Sequence, residues 1–254
     1  MPESEIKRMN PFDRLVSLFV APASLMKNIR IFPAVLVPLI VCTLLGLALM
    51  PFSSNLADIQ MHEFSNLSIE RYGVDYFNTT PVDDELAAVM PDISTITNIS
   101  AVVSAFIAYP VIAFFLALGT FILTKIARGK ELKLIQYFSM YIHLCVLTAI
   151  GAVVTTVLCV SLGSILDVTS LAALFMPLGN VTMPAFNALS GITVFGLWVT
   201  VLAIIGIKHI NHFSYLKATV IGLVGFAFSL GFYTISTSLT FLTYDIINGM
   251  TITL

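Results

Sequence analysis

An all-α, polytopic membrane helix bundle is the fold class this sequence predicts, with five transmembrane helices and cytoplasmic amphipathic helices lying at the interface. Three observations predict it. Hydrophobic residues make up 58% of the chain and charged residues 10%, against about 45–50% and about 25% in a soluble domain. The apolar residues come in long blocks that contain no Lys, Arg, Asp or Glu. The basic residues fall in alternate connections between those blocks. A mean hydropathy of +0.98 agrees: lipid is the solvent for most of the chain.

Crossing about 30 Å of hydrocarbon takes about 20 predominantly apolar residues. Ile31–Phe52 meets this, with Pro33 and Pro38 in its first turns and Pro51 at its exit. Ile99–Thr124 is the second block and carries Pro110 mid-span, where a kink is expected. The third lies within Leu134–Leu162, the fourth within Ala185–Ile207 and the fifth within Ala218–Leu242. A charged residue at mid-span costs about 2.5–3.5 kcal/mol, so the absence of charge from all five blocks suits insertion. The run Leu171–Leu178 is too short to span and is read as interfacial or re-entrant.

Orientation follows from the basic residues. All 12 except Arg71 lie before the first block, between the second and third, or between the fourth and fifth. These regions share one side of a five-span chain, which puts the N-terminus in the cytoplasm and the C-terminus outside. The chain therefore divides into a cytoplasmic amphipathic lead, 1–30, and a membrane domain, 31–254. Within the membrane domain, 53–98 forms an acidic extracytoplasmic loop holding eight of the 14 acids. Inside that loop, Thr80-Pro81 followed by Asp83, Asp84 and Glu85 reads as a helix start running to about Met90. No secretory signal peptide is expected, because the first apolar block begins near residue 31 and no small-residue cleavage site follows.

In the lead, Leu15, Leu18, Phe19 and Val20 alternate with Asp13, Arg14 and Ser17 at helical spacing until Pro22. A second short turn, Ser24–Ile29, follows. This pattern predicts a helix flat on the cytoplasmic surface, with Arg14, Lys27 and Arg30 facing anionic headgroups and Leu18 in the apolar layer. The third block is about 30 residues, or about 45 Å of helix, so its opening Leu132–Tyr141 reads as a second interfacial helix or as a helix end rising through the headgroups. That register places His143 near the interface, as an anchoring or packing residue rather than a proton relay.

Small residues at helix-packing spacing mark candidate contact positions: Gly196 with Thr200, Ala218 with Gly222, and Gly225 with Ser229. They suit packing within the chain, or a dimer face. His209 and His212 stand three apart, a step that puts two imidazoles on one helical face, yet two ligands make an incomplete metal site. His62-Glu63 is equally incomplete, and the acid trio at 83–85 lacks the alternating spacing of a calcium loop. Asp167 stands alone beyond the third block. Cys42, Cys145 and Cys159 fall inside apolar stretches at no metal or redox spacing and read as apolar filler. Asn66, Asn78, Asn98 and Asn180 match the glycosylation pattern, which counts only in a glycosylating lumen.

The lead Asn10-Pro11-Phe12-Asp13-Arg14-Leu15, then Ala21-Pro22 and a short helix before the first block, resembles the start of bacterial Yip1-domain proteins. The basic turn Lys125–Lys133, the segment Tyr137–Tyr141 and the last two blocks fit the same family. The resemblance implies a five-helix membrane protein. Eukaryotic relatives interact with Rab GTPases, but their Asp-Leu-Tyr-Gly-Pro motif has no counterpart here, and the 53–98 loop is unusually large. The resemblance thus implies fold and membrane location, not Rab binding, and no catalytic residues.

Together these readings assign no catalytic residue, cofactor or metal ligand. The expected protein is a non-catalytic scaffold or adaptor in a bacterial cytoplasmic membrane. Its expected partners are membrane lipids and another integral membrane protein or a second copy, with no nucleic acid. A small transporter or channel, and a lipid-binding or bilayer-shaping protein, are the alternatives.

Overall fold

The computed structural model describes residues 7–52, 55–56, 59, 93–129, 132–163, 167–175 and 183–252. Arg71, His62-Glu63, the expected 80–90 helix, Asn66, Asn78 and Asn180 lie outside the described residues. The described elements are helices: α1 (Pro11–Val20), α2 (Pro22–Ile31), α3 (Leu36–Leu47), a 3₁₀ turn (Met50–Phe52), α4 (Ile93–Ile126), α5 (Leu134–Leu162), α6 (Ala172–Phe175), α7 (Met183–Ser190), α8 (Val194–Asn211) and α9 (Tyr215–Ile252).

Four stretches are long and apolar enough to cross a membrane: Phe106–Ile126, Leu134–Leu162, Val194–Asn211 and Tyr215–Ile235. The first expected span is shorter than its apolar block. Pro33 keeps residues 32–35 out of the helix, and α3 begins at Leu36 with Pro38 in its first turn, where a missing N–H costs nothing. At 12 residues α3 is about 18 Å long, and the apolar stretch Leu36–Phe52 remains shorter than a full span. The fourth block is two helices rather than one, broken between Ser190 and Val194. Among its described residues, the run near 171 contributes the four-residue α6. Helix α4 continues through Pro110.

Two compact units emerge, the first comprising Met1–Gly46, Ser104–Gly151 and Val194–Ser229, the second Leu47–Val103, Ala152–Thr193 and Leu230–Leu254. The core of the first is built around the opening of α5. Met140, Ile142, Leu144 and Leu147 are buried there with Leu25, Met26 and Ile29 of α2 and Ile207 and Ile210 of α8. Close approach of helix to helix in this unit depends on Gly206, Gly222 and Gly151. A Cβ on Gly206 would meet the Met140 sulfur and lie 3.2 Å from that of Met26, and one on Gly222 would run into Ile204. One on Gly151 would lie 2.7 Å from Cγ and 2.9 Å from Cβ of Phe195.

The helix ends are closed locally. Asn10 caps α1, its side-chain oxygen accepting from the Asp13 N–H at 2.7 Å, with Pro11 at the first position. Helices α4 and α8 both end in a Schellman turn. The Gly129 N–H reaches the Thr124 carbonyl (2.8 Å) and the Phe213 N–H the Lys208 carbonyl (3.1 Å). The left-handed position falls on Arg128 (φ 54°) and His212 (φ 57°). Gly129 follows because its missing Cβ leaves room for Phe213 at 3.0 Å and the Asn211 amide oxygen at 3.1 Å.

In the second unit, the helix break has a visible cause. Ser170 and Thr193 form an isolated antiparallel bridge, and the Leu171 N–H donates to the Ile192 carbonyl at 2.9 Å. Gly191 packs where a Cβ would lie 2.7 Å from both Leu230 and Tyr233. Asp167, which has no partner visible in the sequence, accepts from the Thr169 N–H (2.8 Å) and hydroxyl (2.6 Å) and so starts the turn that carries Ser170.

These contacts separate two glycines that look alike in sequence. Gly151→Ala is expected to lower stability by about 1–3 kcal/mol through overpacking on Phe195. Gly225→Ala, with nothing within 4 Å, should leave stability unchanged or raise it by up to about 1 kcal/mol. Apparent melting temperatures of the two purified variants in one detergent decide the matter.

Candidate functional site

The first unit gathers polar and basic side chains from α1, α2, the 32–35 segment, the α4–α5 turn and the α8–α9 turn around the opening of α5. Here the apolar environment leaves no bulk water, so each buried donor or acceptor needs a protein partner. Tyr137 donates to the Asn211 amide oxygen at 2.6 Å and shares a hydrogen bond with the Thr124 hydroxyl at 2.9 Å. Asn211 completes its set by donating to the Ile207 carbonyl at 3.1 Å. Tyr141 pairs with the Thr120 hydroxyl at 2.6 Å. Ser139 clamps the extended segment, accepting from the Ala34 N–H (3.0 Å) and donating to the Ala34 carbonyl (2.7 Å).

Basic side chains at this end are held by rings and carbonyls. Lys217 donates to the Ala127 carbonyl at the end of α4 and lies 4.5 Å from the Phe213 ring centroid. Lys208 sits 3.1 Å above the Tyr215 ring, and Lys125 is 5.6 Å from that of Phe121.

Against the surface role expected for the lead, the structure turns Arg14 and Leu18 inward. Arg14 is 3% exposed and Leu18 is fully buried. The outward stripe of α1 is instead Phe12, Val16, Phe19 and Val20, one helical face by its spacing. Amphipathic spacing identifies two faces; which one meets lipid depends on what packs beneath. The guanidinium of Arg14 donates through Nη2 to the Asn28 amide oxygen at 2.8 Å. Asn28 in turn donates to the Lys7 carbonyl at 2.8 Å. Lys27 is exposed, and Arg30, partly exposed, offers its carbonyl to Gln136 at 3.5 Å.

His143, expected at the interface, is fully buried. Its Nδ1 lies 2.6 Å from the Ser139 carbonyl, so Nδ1 carries the proton and Nε2 is left free of it in the neutral ring. His209 lies in the last turn of α8, while His212 leaves the helix in the left-handed region, so the three-residue helical step does not join them. Cys42 and Cys145 are buried thiols directed at the Ile142 and Tyr109 carbonyls, each at 3.9 Å. Cys159 is buried as well.

The small-residue pairs differ from one another. Ala218 is buried and Gly222 lies under Ile204. Thr200 donates to the Gly196 carbonyl (2.8 Å) and Ser229 to the Gly225 carbonyl (3.0 Å), each within its own helix.

A cleft of about 530 Å³ opens beside this network, lined by Arg8, Asn10 and Arg14, by Pro33–Pro38 and by His143. Burial lowers the Arg14 pKa from its ordinary value, and the neighbouring Arg8 charge lowers it further. The sequence offered one clue to this arrangement: Asn28 stands on the same face as Leu25, Met26 and Ile29, where an amide needs a polar partner.

If the tyrosine lock holds these turns together, Tyr137→Phe leaves the Asn211 amide oxygen without its donor. A loss of about 1–3 kcal/mol is expected, read as a lower apparent melting temperature. Tyr215→Phe, at an exposed position, serves as the control and should change nothing.

A family model described as the Yip1 domain matches residues 16–237. No curated protein and no solved structure matches.

Proposed function

The chain belongs to the Yip1-domain family, and on that premise we propose that it is a non-catalytic membrane scaffold or adaptor, assisting assembly or regulation of another membrane complex. The supporting observation is how the polar groups around α5 are used. The hydroxyls of Tyr137, Tyr141, Thr120, Thr124 and Ser139 and the Asn211 amide bond to one another and to backbone. They lock turns and helix ends into a rigid platform. A rigid end carrying basic turns, above helices whose exteriors are apolar, suits a protein that presents surfaces.

We place that basic end in the cytoplasm of a bacterial cell, with the membrane-spanning helices in the cytoplasmic membrane. Lysines and arginines from the lead and from two turns all come to it, the arrangement the positive-inside rule favours. Cysteines introduced at positions 83 and 128 of a protein lacking native thiols should therefore label from opposite sides of the membrane. Labelling of both from one compartment would reverse the orientation.

The partner is another integral membrane protein or a second copy of this chain. A photo-crosslinking residue at Phe228 or Phe232, both outward-facing on α9, should capture a discrete membrane protein in native membranes. Adducts consisting of lipid alone at every outward position would remove the adaptor role.

The lipid-binding alternative gains support from the outward stripe of α1. Phe19 also meets Trp198 edge-on, with ring centroids 5.9 Å apart. The chain has one tryptophan, 40% exposed, so phospholipids brominated on their acyl chains should quench its fluorescence in vesicles. Unquenched emission would place this side of α8 away from lipid.

A further inference from the structure

We propose that the cleft between α1 and the start of α3 is a binding site for a phosphate group, held by Arg14 and His143 and screened at its rim by Arg8. Three independent features converge on it. The first is a pair of orphaned atoms. Arg14 Nη1 and His143 Nε2 are both buried and have no hydrogen-bond partner among the described residues, on side chains only 3% and 0% exposed, and both residues line the cleft. Buried polar atoms are paired in the great majority of cases, and an unpaired one costs about 1–3 kcal/mol. Because both side chains border the same cleft, a single polar occupant reaching them accounts for the two atoms together.

The second feature is charge. Among the described residues, Arg8 and Arg14 line the cleft and no aspartate or glutamate does. The one hydrogen bond of the Arg14 guanidinium among the described residues goes to the neutral Asn28 amide. Holding a buried guanidinium without a counter-charge is unfavourable, and the Arg8 charge nearby adds to this. An anion offsets both effects. Asn28 also orients the guanidinium: with Nη2 fixed on the amide oxygen, Nη1 is the nitrogen left without a partner among the described residues.

The third feature is the start of α3. Leu36, Val37 and Pro38, its first turn, line the same cavity. The first intrahelical bond at this end is Leu39 N–H to the Val35 carbonyl, so the Leu36 and Val37 N–H groups have no acceptor within the helix. They carry the positive end of the helix dipole. The Ser139 clamp on Ala34 fixes where this end lies.

Phosphate oxygens accept from Arg14 Nη1, from the free backbone N–H groups and from Arg8. His143 Nε2 accepts from a phosphate hydroxyl, or from a hydroxyl beside the phosphate, while Nδ1–H stays on the Ser139 carbonyl. A cleft of about 530 Å³ exceeds what one inorganic phosphate needs and has room for a phospholipid headgroup. Two sources share this chemistry, a lipid headgroup and free phosphate.

The test uses the full chain purified in detergent, titrated with dioleoylphosphatidic acid, dioleoylphosphatidylcholine or inorganic phosphate. Native mass spectrometry reads retained ligand, and thermal unfolding reads stabilisation. His143→Asn keeps a donor for the Ser139 carbonyl but deletes the Nε2 atom. Arg8→Gln changes an exposed rim residue and is expected to fold normally. Phosphatidic acid should be retained in preference to phosphatidylcholine, with affinity reduced about tenfold in each variant. If inorganic phosphate displaces it and binds with the same variant dependence, the site is one for free phosphate. If inorganic phosphate does neither, the headgroup is the occupant. Should His143→Asn fail to fold, Arg8→Gln decides alone. Absence of binding by either phosphate source, or binding that Arg8→Gln leaves untouched, overturns the proposal.

Discussion

Helix α5 enters the bundle surrounded by protein, and its first three turns carry Tyr137, Ser139, Tyr141 and His143 into that burial. The resulting constraint organises the first unit, because each polar group must find its partner in another segment or in its own backbone. Tyr137 reaches the end of α8 and the last turn of α4, Tyr141 reaches α4, and Ser139 takes the main chain at Ala34. Apolar packing alone holds helices at a distance without fixing their rotation. Directional bonds of this kind set register, and an unmade one costs more than a made one contributes. The position where α3 starts, and so the cleft beside it, follows from the Ser139 clamp.

The basic end shows how cations are held where acids are scarce. Lys208, Lys217 and Lys125 stand over ring faces, and Lys217 also closes the end of α4 by meeting its Ala127 carbonyl. Cations near helix C-termini complement the dipole. Both turns end in Schellman geometry with a non-glycine residue in the left-handed position, a conformation that costs about 1–2 kcal/mol for an L-residue. At Gly129 the glycine serves a different need, the close approach of Phe213 and Asn211. The two turns are thus fitted to each other, and the small residue lies where they meet.

Glycine elsewhere follows the same logic of contact rather than spacing. Gly225 belongs to a small-residue pair and faces open space, whereas Gly206, outside every such pair, sits under Met140. Spacing describes one helix, and close approach is a property of two. The hydroxyls of Thr200 and Ser229 likewise turn back to their own helices, since a carbonyl one turn earlier is always within reach.

The sequence by itself determined the membrane fold class, the apolar blocks and the family, because solvent preference is additive along the chain and needs no knowledge of neighbours. Uncharged blocks, interrupted by basic turns, carry that information residue by residue. Tertiary structure alone decided which face of α1 is covered, why the fourth block breaks before Val194, and that Arg14 and His143 share one cleft. Helical periodicity reveals that a face exists without saying what will cover it. Residues 129 positions apart become neighbours only when the bundle closes around α5.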